Sequence, residues 1–241
     1  MDKLLLTGRS MYAISMLALG FLCIQYHDFI VGRPPAWPVF TFNQLLGYSS
    51  GSMLCIASVM ILINRNLFYA GLFIAAEILL LSVSRHVPQF MLDWVNGYKA
   101  LAFVGAPLVI AGMSRRVPLL VKTGITLLSI YFIACGFAHF KWADGVQYMV
   151  PEYIPFRLFW TYFTGMCLLA GGIGLMITGF RKWSAFMLGL MVFGWLLLLH
   201  IPEFIATHQP PTMQGWVSVR LSDLLEYAGW WLVFLGVHSQ V

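Results

Sequence analysis

The chain has 241 residues, 60% of them hydrophobic, 16% aromatic and only 10% charged, with a mean hydropathy of +0.82. An ordinary soluble domain is about a quarter charged, so a water-soluble globule is excluded and lipid is the solvent. The formal net charge of +5 contains no basic run longer than a pair such as Arg115-Arg116, which points to membrane topology and away from nucleic acid.

A spanning helix needs about 20 mostly apolar residues, and eight such segments follow one another along the chain. The first, 10–28, comes after Lys3 and Arg9 as a signal peptide would, but no small-x-small cleavage site follows and Gly20-Phe21-Leu22-Cys23 is a poor lipoprotein box. It is therefore read as a span. Segment 33–42, rich in proline and aromatic residues, is expected to lie on the membrane interface. The second span, 44–63, and the third, 67–85, follow; the third carries Glu77 and runs into His86-Val87-Pro88. The fourth, 92–113, carries Lys99 and Gly105-Ala106-Pro107, and the fifth, 118–140, carries His139 near its end. Segment 141–156 is a second interfacial stretch. The sixth span, 158–179, is uninterrupted and lacks the alternation of a barrel strand. The seventh, 183–200, runs into His200-Ile201-Pro202, and a polar loop at 208–212 leads to the eighth, 221–237. Glu226 in this last span lies within snorkelling reach of Arg220. An all-α polytopic membrane protein is the expected fold class.

Alternation of eight spans puts eight basic residues on one side: Lys3, Arg9, Arg65, Arg115, Arg116, Lys122, Arg181 and Lys182. Five, Arg33, Arg85, Lys141, Arg157 and Arg220, fall on the other, together with most of the acids. The positive-inside rule then places both termini in the cytoplasm, in an inner membrane. Trp37, Trp94, Trp142, Tyr148, Tyr153, Trp160 and Trp216 gather on the opposite side, as interfacial aromatics do.

The halves share landmarks at a separation of 114 to 117 residues. Gly20-Phe21 followed by Asp28 matches Gly136-Phe137 followed by Asp144, Tyr48-x-x-Gly51 matches Tyr162-x-x-Gly165, and His86-Val87-Pro88 matches His200-Ile201-Pro202. Each unit is four helices, residues 1–116 and 117–241. An even number of spans gives both units the same orientation, hence two parallel repeats about an axis along the membrane normal.

At these residues the chain resembles the DoxX family of small four-helix membrane proteins. The second half carries the resemblance through Gly136-Phe137-Ala138-His139-Phe140, Val150-Pro151, Ile154-Pro155 and Trp160-Thr161-Tyr162-Phe163-Thr164-Gly165. In the first half Cys23 stands where His139 does, which puts in doubt any role needing two such sites. The resemblance implies a fused pair of DoxX-like units and an association with membrane oxidoreductase assemblies, such as the DoxD-type subunit of a thiosulfate:quinone oxidoreductase.

Intramembrane charges mark function by default. Glu77 and Lys99 lie about 12 and 10 Å inside the same face by helical rise, on consecutive antiparallel spans. They read as a structural ion pair, with a proton or substrate site as the alternative. His86 and His200 recur at equivalent span ends, where a histidine caps the last carbonyls and opposes the dipole, or else serves chemistry. A chemical role requires convergence, and His139, His200, Asp144 and Tyr162 are the set expected to converge in the second half, with His86 in the first. Such a group exchanges protons with a quinone head group, the one cofactor class the sequence suggests. The four cysteines, Cys23, Cys55, Cys135 and Cys167, form no C-x-x-C pair, and no H-E-x-x-H spacing exists, so no metal site is expected. The function read from the chain is an integral membrane subunit of a redox assembly, partnered by the bilayer and by other membrane or redox proteins. The rivals are a non-enzymatic scaffold for a partner complex and a small-molecule carrier. Against the carrier, Pro107 has no counterpart in the second half, whereas broken helices of carriers come in corresponding pairs.

Overall fold

The computed structural model describes residues 2–31, 42–86 and 94–202, without the side chains of 2–5, 43, 94–97, 99 and 200. Over these residues the chain is entirely helical between its turns. It is an all-α polytopic membrane protein. The long helices are α1 (Asp2–Tyr26), α2 (Asn43–Leu62), α3 (Leu67–His86), α4 (Trp94–Arg115) and α5 (Pro118–Lys141). A four-residue helix α6 (Ala143–Val146) and a 3-10 turn (Gln147–Met149) precede α7 (Arg157–Met176) and α8 (Arg181–Trp195), which continues through a π turn (Leu196–His200). Six of these are long and apolar enough to cross a membrane, and the apolar part of α4 is the shorter Ala100–Arg115. The expected eighth span, with Glu226, and the polar loop at 208–212 lie outside the described residues.

Sequence chemistry sets the helix ends. α1 closes with His27 in the left-handed region at φ 54. The amide of Asp28 reaches back to the Cys23 carbonyl at 3.1 Å and that of His27 to Ile24 at 3.4 Å, the paired bonds of a Schellman motif. α2 ends the same way at Asn64, where Arg65 bonds the Met60 carbonyl and Asn64 that of Ile61. α4 ends at Arg116, with Val117 bonded to Gly112, and Pro118 then opens α5, where its missing N–H costs nothing. Successive helices run antiparallel, so one end of the bundle gathers His27, His86 and His139 and the other gathers Arg65, Arg115, Arg116 and Arg181. At the basic end, the Arg115 guanidinium lies 4.4 Å from the Phe68 ring centroid and 4.7 Å from that of Tyr69, tying α4 to the start of α3.

Burial repeats along the chain. Buried α2 positions Gly47, Gly51, Leu54, Ser58 and Ile61 are matched 114 residues later by buried Thr161, Gly165, Leu168, Gly172 and Leu175 in α7. Buried Gly71, Ile74, Ala75, Ile78 and Ser82 of α3 are matched by Ala185, Leu188, Gly189, Val192 and Leu196. In α1 and α5 the same holds at an offset of 116, from Gly8 and Gly124 through Tyr12 and Leu128 to Gly20 and Gly136. The matched positions of the two halves thus share one burial register. One close crossing recurs at matched positions: a Cβ on Gly51 would come within 2.5 Å of the Gly20 carbonyl, and one on Gly136 within 2.9 Å of the Gly165 carbonyl. α1 meets α2, and α5 meets α7, with backbone against backbone at paired glycines, as membrane helices lacking a hydrophobic driving force pack. Large apolar side chains such as Ile56, Leu80, Phe137 and Phe163 line the exposed faces, where lipid is their solvent.

Candidate functional site at the histidine end

In the second half His139 sits one turn from the end of α5. Its Nδ1–H donates to the Cys135 carbonyl at 2.8 Å, so in the neutral ring Nε2 carries the lone pair and accepts. The ring stacks on Trp195 of α8, with centroids 6.1 Å apart and planes 18° from parallel. Gly165 of α7 makes room for it, since a Cβ there would lie 2.9 Å from the His139 Cβ. Beside it, Tyr162 packs on Phe140 with ring centroids 5.7 Å apart and is itself exposed. His139 is thus half-buried in an aromatic corner formed by α5, α7 and α8, with one ring nitrogen fixed and no hydrogen bond to the other among the described residues.

The rest of the expected cluster is only partly assembled. Asp144 is exposed on α6, its backbone carbonyl taken by the Gln147 side chain at 3.3 Å, and no hydrogen bond joins it to His139. Tyr162 is near in the aromatic sense without being bonded to the histidine. The His200 side chain lies outside the described residues, and the backbone is helical through Pro202, the last residue described there. The nearby aromatic that sequence reasoning overlooked is Trp195. Its one available signal was position, five residues before His200 on a span expected to share a unit with α5. The π turn that follows was not legible either. Tyr153 donates its hydroxyl to the Leu198 carbonyl within this turn, fastening the interfacial segment to α8.

The first half differs. Cys23, in the place equivalent to His139, is fully buried, and its sulfur accepts the Ile30 amide at 3.5 Å. Arg85, counted from sequence only as a flanking charge, is 4% exposed. Its guanidinium donates to the Phe29 carbonyl at 2.9 Å and to the Val31 carbonyl, and lies 5.5 Å from the Phe29 ring centroid. His86 is buried beside it, Nε2 3.5 Å from the Arg85 guanidinium. Arg85 therefore holds the segment after α1 against α3, with His86 buried at its side. Nearby, the His27 Nε2 and Tyr48 hydroxyl hydrogen-bond at 2.8 Å on the exposed side. Glu77 has one carboxylate oxygen buried with no hydrogen-bond partner among the described residues; the Lys99 side chain lies outside them.

A family model described as a domain of unknown function (DUF8561) matches residues 128–227, which contain His139, Tyr162, Trp195 and His200. No curated protein and no solved structure matches the chain.

Proposed function

We propose that the chain is an integral membrane subunit of a quinone-linked redox assembly, built from two DoxX-like four-helix units at 1–116 and 117–241, in an inner membrane with its basic end toward the cytoplasm. The observation that carries the reading is His139. A histidine whose Nδ1–H is committed to a backbone carbonyl presents Nε2 as a fixed acceptor, suited to the hydroxyl proton of a quinol. The Trp195 ring beside it and the exposed aromatic side of α7 offer a flat apolar wall for a quinone ring arriving from lipid. The second half is accordingly the active one, with Tyr162 as the neighbouring hydroxyl and Asp144 and His200 as groups that would join on ligand binding.

The test is binding of a short-chain benzoquinone to the purified protein, read by tryptophan quenching and by quinone content after extraction. His139→Ala is expected to abolish binding while lowering the melting temperature by only a few degrees, since the ring is half-buried and its removal takes away one stacking contact, on Trp195. Loss of stability with unchanged binding would instead favour the scaffold reading. One observation does favour that alternative for the first half: its buried Arg85 is already engaged by two backbone carbonyls and so holds structure.

A further inference from the structure

We propose that the groove between the 3-10 turn and the first turn of α7 binds a phospholipid whose headgroup carries both a phosphate and a primary ammonium. The groove encloses about 540 Å³. Its walls are apolar at Ile154, Phe156 and Phe159, and its two charged members are Glu152 and Arg157. It opens where the candidate span Arg157–Met176 begins, at the boundary between water and hydrocarbon, and exposed Tyr148, Tyr153 and Trp160 flank it at headgroup level.

The charges select the occupant. Glu152 and Arg157 pair at 3.5 Å, but the Glu152 side chain is 95% exposed, so the pair contributes little and exchanges readily for other partners. A headgroup with a phosphate next to an ammonium satisfies both members at once: the guanidinium forks onto phosphate oxygens and the carboxylate accepts ammonium N–H bonds. An anionic headgroup without an amine would leave Glu152 facing like charge, and a trimethylated amine has no N–H to donate. Phe156 at the N-cap has no side-chain acceptor for the first-turn amides of α7 on the same wall, which adds further donors for a phosphate. Below the groove, exposed Phe159, Phe163, Met166 and Ile173 form one continuous stripe down α7, a track for an acyl chain, with the Phe159 and Phe163 rings stacked at 6.0 Å. This site needs no redox chemistry and stands or falls separately from the quinone reading.

The experiment is native mass spectrometry of the full chain released from vesicles of equal phosphatidylethanolamine, phosphatidylcholine and phosphatidylglycerol. Preferential retention of phosphatidylethanolamine is expected. Glu152→Gln should lower its ratio to phosphatidylglycerol about fivefold, the most one exposed ion pair supplies, with no change in melting temperature. Arg157→Gln should lower retention of all three. Equal retention of the three lipids by the unaltered chain, a preference for phosphatidylglycerol, or an unchanged ratio in Glu152→Gln would each overturn the proposal.

Discussion

At the scale of single residues, the helix crossings are decided by the absence of side chains. Gly51→Ala places a methyl 2.5 Å from the Gly20 carbonyl, a backbone atom that cannot step aside. The α1–α2 pair must separate, at a cost of about 1–3 kcal/mol. Gly145→Ala, with nothing within 4 Å of the new methyl among the described residues, should fall within about 0.5 kcal/mol of the parent in the same detergent melt. Glu77 belongs to the same scale. Its buried oxygen has no hydrogen-bond partner among the described residues, and we expect Lys99 on the adjacent helix to be its counter-charge. Glu77→Leu or Lys99→Leu alone would then cost about 3–5 kcal/mol, while the double variant would be nearly neutral. Additive losses in the double-variant cycle would show that the two do not meet.

At the scale of elements, the helix turns were written locally. Asn64 and the Arg116-Val117-Pro118 run announced their helix ends because the chemistry of left-handed and proline positions acts within a few residues. Arg85 was not legible in this way. Its role depends on the carbonyls of Phe29 and Val31, more than fifty residues earlier, so no local pattern marks it. Arg85→Leu leaves two buried acceptors without a donor, and a loss of about 2–5 kcal/mol is expected. Faster amide exchange at 27–31, with α7 and α8 unaffected, would confirm that the loss is confined to the first unit. The π turn after Trp195 is equally non-local, since the Tyr153 hydroxyl that engages it comes from the segment before α7.

At the scale of the whole molecule, the antiparallel order of helices puts Arg116 and Glu152 at opposite ends of the bundle. In a chain whose four native cysteines are replaced, a cysteine at position 152 should react with an impermeant maleimide added outside the cell. One at position 116 should react only after lysis. The reverse pattern would invert the topology argued from the eight-to-five division of basic residues. Matched positions of α2 and α7, and of α3 and α8, are buried alike.

Lipid as solvent, the all-α class, most helix boundaries and the spacing of the duplicated landmarks were all determined by the sequence alone. Each rests on effects that act within one segment: hydropathy over about 20 residues, backbone groups that must be satisfied within their own helix, and turn residues acting over three or four positions. Only the tertiary structure decided which of the chemical groups meet. His139 meets Trp195 and not Asp144, and Arg85 is consumed by a distant loop while Cys23 is shut into the core. Those outcomes depend on the rotation of each helix about its axis and on how closely paired glycines let two backbones approach. A shift of one residue, about 100°, turns a side chain from lipid to core, and neighbours from distant parts of the chain set that rotation.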